Sequence, residues 1–274
     1  MPLVAHIMDV GCGNMVLIVT PNGWSLVYDC NITQENKKRV LAYVDRVIGR
    51  GSSISVFVNS HRDADHMRGI KRLHCVHRIS QIWDSGVPGT TTDSTEYREY
   101  MELCRSVPTH IVGPRTEGQY GGSRILVMNS HWPGCQDSNE QSMVMKVEYG
   151  GVSLMLAGDT NYRPWKEKIL TYYGDQVLHS SILLASHHGS IMFFGDPSDS
   201  QSYFIAHMKK IVPAMTIISV GANVYGLPDR KAVELYEMYS SGSAQGHKVF
   251  RTDKQGTMRI VLKDDGGWEL APNQ

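Results

Sequence analysis

The segment that follows the apolar run Ile54 to Val58 constrains the fold of this 274-residue chain more than any other. The run has the length and composition of a buried β-strand. Two histidines and two aspartates follow it closely: His61, Asp63, Asp65 and His66. Open sheets place their chemistry where strands end, and alternate side chains of an extended segment point to one side. Because imidazole and carboxylate groups bind zinc, manganese or iron, the segment predicts a metal site at the rim of a sheet.

The composition is that of an ordinary globular protein and excludes a disordered chain. Hydrophobic residues make up 41% of the sequence and charged residues 20%. The formal net charge is +0 and the pI is about 7.2, so no overall positive field attracts nucleic acid. A local basic groove is still compatible with these values.

The cysteines and the N-terminus favour a reducing compartment. Five cysteines are an odd number without C-x-x-C spacing, which argues against a disulfide framework and against a zinc knuckle. The first residues show neither the charged start nor the apolar stretch of a signal peptide. No apolar run approaches the roughly 18 residues of a membrane span. We therefore expect a cytoplasmic protein with no membrane contact.

Apolar runs with strand character alternate with amphipathic segments along the whole chain. The pattern predicts a helix over Arg163 to Tyr173 and another over Asp229 to Tyr239, with Asp229 as a candidate cap. Residues 113–123, rich in glycine and polar residues, are expected to form a loop. Since no linker interrupts the pattern, we expect one domain over residues 1–274. Its predicted class is α/β, with two mixed β-sheets packed face to face and helices outside, a four-layer αββα sandwich.

Four predicted strands end on side chains that carry chemistry. Besides the cluster at 61–66, these are Asp29, Asp159 after Gly158, and the pair His187-His188. A strand-terminal aspartate taken alone is most often a turn residue or a helix cap. One histidine of a pair can also serve only as a hydrogen-bonding core residue. The four strand ends together predict a shared site at one rim.

In this order the motifs resemble those of metallo-β-lactamase-fold hydrolases. More narrowly, they are similar to the hydrolase domain of the ComEC competence proteins and their stand-alone relatives. The specific part of the resemblance is H-x-D-x-D-H at 61–66, followed by G-D at 158–159 and H-H-G-S at 187–190. Nearly the whole chain is covered, because further motifs match at Asp9 to Asn14, Thr20 to Gly23, Tyr28-Asp29, Asp84 to Gly86, Asn139 to Met143, Ser219 to Pro228 and Thr252 to Gly256.

The resemblance implies the metallo-β-lactamase fold and two divalent metal ions, zinc or manganese. The implied metal ligands are His61, Asp63, Asp65, His66, Asp159 and His187. His61 and Asp63 would hold one ion. Asp65, His66 and His187 would hold the other, and Asp159 would bridge both ions. Asp29 would orient ligands from behind. Asp63 stands where many metallo-β-lactamases carry a histidine, and this oxygen ligand makes manganese as plausible as zinc. Asn139 stands where other branches carry a metal-binding histidine and is a weaker ligand.

Two residues depart from the motifs of that branch. Asn14 replaces the usual aspartate, and Leu227 replaces the histidine of Y-G-H-P. Leucine can neither bind metal nor donate a proton. A contact that the family histidine makes would therefore be absent here, and catalysis would be slower or the substrate different.

The implied mechanism is hydrolysis of a phosphodiester, in nucleic acid or in a nucleotide, including a cyclic one, by a water that the metals activate. Asp65 or Asp159 would orient this water. His188 and Ser190 would lie near the leaving oxygen, as proton donor or hydrogen-bond donor. A nucleotide or nucleic-acid substrate is thus the expected partner, and a homodimer or a co-encoded protein partner is compatible with the sequence.

Two alternatives stay open. The same metals could hydrolyse a small ester, lactone, thioester or amide, and a fold alone cannot choose between these substrates. The chain could also be a metal-stabilised sensor or interaction domain without turnover, for which Asn14 and Leu227 are the best support.

Overall fold

The computed structural model describes residues 1–132, 135, 137–196, 202–242 and 248–271. Its strands are β1 (Leu3–Ile7), β2 (Val16–Val19), β3 (Ser25–Tyr28), β4 (Cys30–Asn31), β5 (Val56–Val58), β6 (Ile82–Asp84), β7 (Thr109–Ile111), β8 (Glu117–Tyr120), β9 (Ser123–Asn129), β10 (Val144–Tyr149), β11 (Val152–Leu156), β12 (Ile182–Leu184), β13 (Met215–Ile218), β14 (Val249–Arg251), β15 (Met258–Leu262) and β16 (Trp268–Ala271).

Most of the helices are short. The α-helices are α1 (Lys37–Ile48), α2 (Ala64–Met67), α3 (Ile70–Val76), α4 (Thr95–Ser106), α5 (Tyr162–Pro164), α6 (Leu170–Tyr172), α7 (Asp175–Leu178), α8 (Ala206–Ile211), α9 (Arg230–Tyr239) and α10 (Thr252–Gln255). A π-helical turn spans Trp165–Ile169, and two 3₁₀ turns span Ser186–Gly189 and Ile191–Phe193.

The strands form two mixed sheets. The first has the order β16-β15-β1-β2-β3-β5-β6-β7 and the second the order β14-β13-β12-β11-β10-β9-β8. In the first sheet β3, β5, β6 and β7 are parallel, and in the second β11, β12, β13 and β14 are parallel. The parallel strands end at loops that carry most of the polar residues singled out in the sequence, because such loops collect at one edge of a sheet.

Three apolar layers hold the sandwich together. Between the sheets, Tyr28 and Val58 of the first pack in one cluster with Met145 and Leu156 of the second. Outside the first sheet, α1 buries Val40 and Val44, which fall on one face of the helix and contribute to the second cluster.

A third cluster covers the outer face of the second sheet. Trp165 of the π-turn, Phe193, and Ala232 and Tyr236 of α9 pack there, all with no exposed surface. Two mixed sheets with helices on both outer faces confirm the predicted four-layer αββα arrangement.

Two local predictions were wrong, and a third missed a π-turn within a helix. The expected loop at 113–123 contains strand β8, whose side chains alternate between exposed and half-buried as on a sheet edge. The segment predicted as a helix over Arg163 to Tyr173 is helical from Tyr162 to Tyr172, as α5, the π-turn and α6 in succession, and only the π-turn was not expected. Asp229 makes no capping bond to α9, because its carboxylate accepts a hydrogen bond from the backbone N–H of Ile191 instead, at 2.7 Å.

Within the described parts of the chain, no helix has the length and apolar character needed to cross a lipid bilayer.

Candidate metal centre

The loops after four parallel strands bring the candidate site together. Asp29 follows β3, the 61–66 segment follows β5, Asp159 follows β11, and His187-His188 follow β12. β3 and β5 belong to one sheet and β11 and β12 to the other. The site therefore lies across the edge of the sandwich and draws on both sheets.

Two groups of three side chains could each hold a metal ion. One consists of His61, His66 and Asp159, and the other of Asp65, His66 and His188, with the potential ligand atoms of each group within 4.8 Å of one another. His66 is common to both. Its Nε2 lies 3.2 Å from Asp159 Oδ2, and His188 Nε2 lies 3.2 Å from Asp65 Oδ2. The two groups are therefore neighbours, as the ligands of a dinuclear centre are.

Unpartnered polar atoms show that these residues fit a cation. Among the described residues, His66 Nε2, Asp159 Oδ1 and Asn139 Oδ1 are buried without a hydrogen-bond partner. Leaving a buried polar atom unpaired costs about 1–3 kcal/mol. A cation between them would pair these atoms, and imidazole nitrogen with carboxylate oxygen is a donor set suited to zinc, manganese or iron.

Two residues predicted as ligands lie beside the groups rather than within them. Asp63 Oδ2 is 3.7 Å from His61 Nε2, while its Oδ1 accepts hydrogen bonds from the backbone N–H and the hydroxyl of Thr90. His187 Nε2 is 3.8 Å from Asp159 Oδ2. His188, which was expected to be a proton donor, thus belongs to one group of candidate ligands. His187, which was expected to be a ligand, lies next to these groups without belonging to either.

Asp29 is placed to orient the shared histidine. This carboxylate is completely buried and lies 2.8 Å from His66 Nδ1. It also accepts hydrogen bonds from the backbone N–H of Ser60 at 2.7 Å and from the Ser60 hydroxyl at 2.8 Å. With Nδ1 of His66 fixed in this way, Nε2 faces Asp159. A carboxylate behind a histidine ligand makes this contact in metal sites.

Three serines that lie within or directly before the motifs, and for which no role was predicted, also contact the site. Ser60 Oγ lies 3.0 Å from His61 Nδ1, and Ser142 Oγ lies 3.4 Å from the same nitrogen. Ser142 Oγ also accepts the backbone N–H of Asp159 at 3.0 Å. The carbonyl of Ser219 lies 3.0 Å from His188 Nδ1, which turns Nε2 toward Asp65. These serines stand within or next to the motifs that carry the predicted ligands, and this position in the sequence was the signal that could have identified their contacts.

The remaining predicted residues lie close to the rim. Asn14 is 1% exposed, and its backbone N–H donates to the carbonyl of Asp65 at 3.3 Å. Ser190 Oγ accepts the backbone N–H of Met192 at 3.3 Å, so this hydroxyl caps the following 3₁₀ turn. Leu227 is half-buried against the outer apolar cluster of the second sheet.

Charge and burial compete strongly in this cluster. Burial opposes protonation of His66, but the carboxylates of Asp159, Asp29 and Asp65 outweigh it and raise the pKa of His66 well above its usual value. Burial likewise opposes ionisation of Asp159, yet the neighbouring histidines, His66 first, hold its pKa well below the usual range. Asp159 is therefore ionised at neutral pH and places negative charge beside the Nε2 nitrogen of His66.

His61 behaves differently from its neighbour. Burial lowers the pKa of His61, and the adjacent His66, whose ring centroid is 4.1 Å away, lowers it further. A neutral imidazole has a free lone pair and is the form that binds metal. The site thus combines ionised carboxylates with a histidine kept neutral, and it can hold a divalent cation and place a water beside it.

No protein-family model matches the chain. In sequence it is 21% identical over 278 residues to ComE operon protein 3 of Bacillus subtilis, and it covers 33% of that protein with 95% of its own length. It is 24% identical over 261 residues to competence protein ComA of Neisseria gonorrhoeae, covering 32% of that protein with 95% of its own length. The chain spans about a third of the length of these two relatives.

Solved structures show the same fold at low identity. The metallo-β-lactamase fold protein YhfI of Bacillus subtilis matches with a TM-score of 0.55 and 12% identity, over 99% of this chain and all of that one (100%). CmlA, a diiron β-hydroxylase from Streptomyces venezuelae, matches with a TM-score of 0.55 and 11% identity, over 96% of this chain and 54% of that one. The chain therefore has the metallo-β-lactamase fold, and its sequence is similar to one part of two ComEC-type competence proteins.

Proposed function

We propose that the chain is a metal-dependent hydrolase that cleaves phosphodiester bonds in a nucleic acid or in a nucleotide, including a cyclic one. The observation that carries the proposal is the pair of adjacent three-residue groups that share His66, in which His66 Nε2 and Asp159 Oδ1 are buried without a hydrogen-bond partner. The sequence similarity to the competence proteins supports nucleic-acid chemistry. The fold alone does not choose the reaction, since one structural neighbour is a diiron hydroxylase.

Two divalent ions, zinc or manganese, are proposed as the cofactors. One ion would be held by His61, His66 and Asp159. The other would be held by Asp65 and His188, together with either His66 or Asp159. Asp63 and His187 would be further ligands. When bound, the ions would supply Lewis acidity that lowers the pKa of a coordinated water and offsets charge on the phosphoryl oxygens. The three carboxylate ligands, Asp63, Asp65 and Asp159, favour a hard ion such as manganese, whereas a site with only nitrogen ligands would favour zinc.

The chain's own residues would do the remaining work. Asp29 holds the ring of His66 in one orientation, and the Ser219 carbonyl holds that of His188. Asp65 has a side chain that is about one-third exposed (33%), so it can accept a hydrogen bond from a water that enters from solvent. A proton for the leaving oxygen would come from solvent, which can reach the site beside His187, whose side chain is 23% exposed.

The test is a substrate panel on the purified full chain after chelation and reloading with manganese or zinc. We expect turnover of bis-p-nitrophenyl phosphate and of a short oligonucleotide, and little turnover of p-nitrophenyl acetate or of a thioester. Asp65→Ala should remove activity and at least one equivalent of bound metal, as measured by elemental analysis. The matched control Asp175→Ala changes a side chain that is 71% exposed and should leave both unchanged.

The panel also separates the alternatives. Turnover of the ester or thioester without turnover of either phosphodiester would replace the proposed substrate class with a small-ester hydrolase. Bound metal without turnover of any substrate would favour the sensor or interaction domain. Full activity of a metal-depleted Asp65→Ala protein would contradict the mechanism.

A further inference from the structure

A small pocket lies on the outer side of the second sheet, next to the residue that ends β9. It has a volume of about 160 Å³ and opens between the end of β9 and the helical segment 165–172. Its apolar and aromatic lining includes Met128, Trp132, Tyr172 and Tyr173, and its cations are Arg115 and Lys168. We call it the Trp132 pocket. Its volume is below the roughly 300–1,000 Å³ of sites for drug-sized ligands, so it fits one part of a larger molecule.

The cations of the Trp132 pocket face aromatic rings. The guanidinium carbon of Arg115 is 3.6 Å from the centroid of the Tyr172 ring, and the ammonium of Lys168 is 5.0 Å from that of Trp132. Within the described part of the chain neither cation forms an ion pair with a carboxylate. A third cation near Trp132, Arg163, is paired with Glu140 at 2.9 Å. Among the residues that the structure describes, no carboxylate pairs with these two cations, so the pocket carries net positive charge.

One short segment joins the Trp132 pocket to the metal centre. Asn129, which lines the pocket, donates from its side-chain amide to the carbonyls of Ser142 at 2.7 Å and Glu140 at 3.0 Å. The hydroxyl of Ser142 in turn lies 3.4 Å from His61 Nδ1 and accepts the N–H of Asp159. The pocket and the metal centre therefore share one buried, hydrogen-bonded wall, and a substrate that spans both would pass over its rim.

We propose that the Trp132 pocket binds a second nucleotide unit of the substrate, next to the unit cleaved at the metals. The base would contact the apolar and aromatic lining, because every base offers a face for stacking. The adjoining phosphate would meet Arg115 and Lys168, since guanidinium and ammonium groups make strong charge-assisted hydrogen bonds to phosphate. The inference rests on the proposed phosphodiesterase function and adds that substrates longer than one nucleotide bind better.

The test compares a long and a short substrate in two pocket variants. Lys168→Ala removes one cation, and Arg115→Asn removes the other while keeping a residue type that tolerates the φ of 68° found there. Lys166→Ala is the matched control, because Lys166 is an exposed lysine on the same helical segment that does not line the pocket. We expect each pocket variant to raise KM for a short single-stranded oligonucleotide about tenfold and to leave hydrolysis of bis-p-nitrophenyl phosphate unchanged.

The outcomes distinguish this inference from the function beneath it. An unchanged oligonucleotide KM in both pocket variants, with normal turnover of the small diester, would overturn the pocket assignment alone. An equal rise of KM in Lys166→Ala would overturn it as well. If the unmodified chain hydrolyses neither substrate, the proposed function fails. Binding of a fluorescent oligonucleotide, weakened in Lys168→Ala and not in Lys166→Ala, would then still support the pocket.

Discussion

Two histidines with no exposed surface, His66 in the candidate metal centre and His207 under the outer helices, are in opposite environments. His66 faces three carboxylates, which raise its pKa despite burial. His207 packs against aromatic rings, with its ring centroid 4.2 Å from that of Phe193 and 5.1 Å from that of Phe204. Burial there lowers the pKa of His207 to about 3.

The difference teaches that burial of a histidine does not indicate its role. The surroundings of His207 stabilise a neutral ring inside a core, as expected of a packing residue. The surroundings of His66 concentrate opposite charges in an apolar environment, which costs several kcal/mol per ion unless geometry and further bonds offset it. Strongly perturbed groups that cluster in this way are typical of functional sites. Three substitutions separate the two regions.

The largest expected effect is on turnover. His66→Ala should lower kcat/KM for bis-p-nitrophenyl phosphate about a thousandfold, since it removes the ligand common to both candidate groups. His207→Leu should leave kcat/KM within about twofold, because it replaces a core side chain with one of similar volume. Steady-state kinetics at saturating manganese measures both. Similar losses in the two variants would contradict the distinction drawn between these histidines.

The next effect concerns metal affinity. Asp29→Asn keeps the backbone, because asparagine tolerates the φ of 58° at this position, but it removes the negative charge behind His66. We expect metal affinity to fall about 10–100-fold, measured by competition with a chromophoric chelator. Asp175→Asn, at an exposed position, is the control and should bind metal normally. An unchanged affinity in Asp29→Asn would show that the contact with His66 is only structural.

The smallest effect is on stability and depends on pH. His207 stays neutral in the folded chain down to its pKa of about 3, whereas in the unfolded chain it takes up a proton near 6.5. The unfolded state thus binds more protons across this window, so the free energy of unfolding falls as the pH falls. Between pH 7 and pH 5 this histidine alone should account for about 2 kcal/mol.

Urea unfolding of the metal-free chain at both pH values measures this contribution. His207→Leu should reduce the loss of stability on acidification by that amount, while His179→Leu, which changes an exposed histidine, should not. The same pH dependence in all three proteins would mean that His207 is solvated or protonated in the folded state.

The local part of the site could be predicted from the sequence. His61, Asp63, Asp65 and His66 lie in one short segment after an obvious strand, so their proximity follows from the covalent chain. The fold was predictable for a similar reason, because the strands show clear apolar runs. Strand β8 was missed because its sequence, Glu117 to Tyr120, is polar with a glycine, as an edge strand can be when one face meets solvent.

The contacts between distant segments could not be predicted. His187 and His188 are adjacent, and both have a left-handed backbone, with φ of 48° and 53°. This turn abolishes the simple alternation of side chains, so spacing alone could not say which imidazole faces Asp65. The bond from Ile191 to Asp229 spans 38 positions and removes the expected helix cap. The cage of rings around His207 likewise depends on tertiary packing.

The candidate ligands come from both halves of the sandwich, and this has a mechanical consequence. His61, Asp65 and His66 follow a strand of the first sheet, whereas Asp159 and His188 follow strands of the second. A cation held among them would act as a cross-link between the two layers, in addition to the polar contacts at this edge such as the hydrogen bond from the backbone N–H of Met143 to the carbonyl of Ser60. Resistance to unfolding would then rise with the logarithm of free metal concentration above the dissociation constant, so the chain's thermal midpoint would itself report how tightly the ion is held.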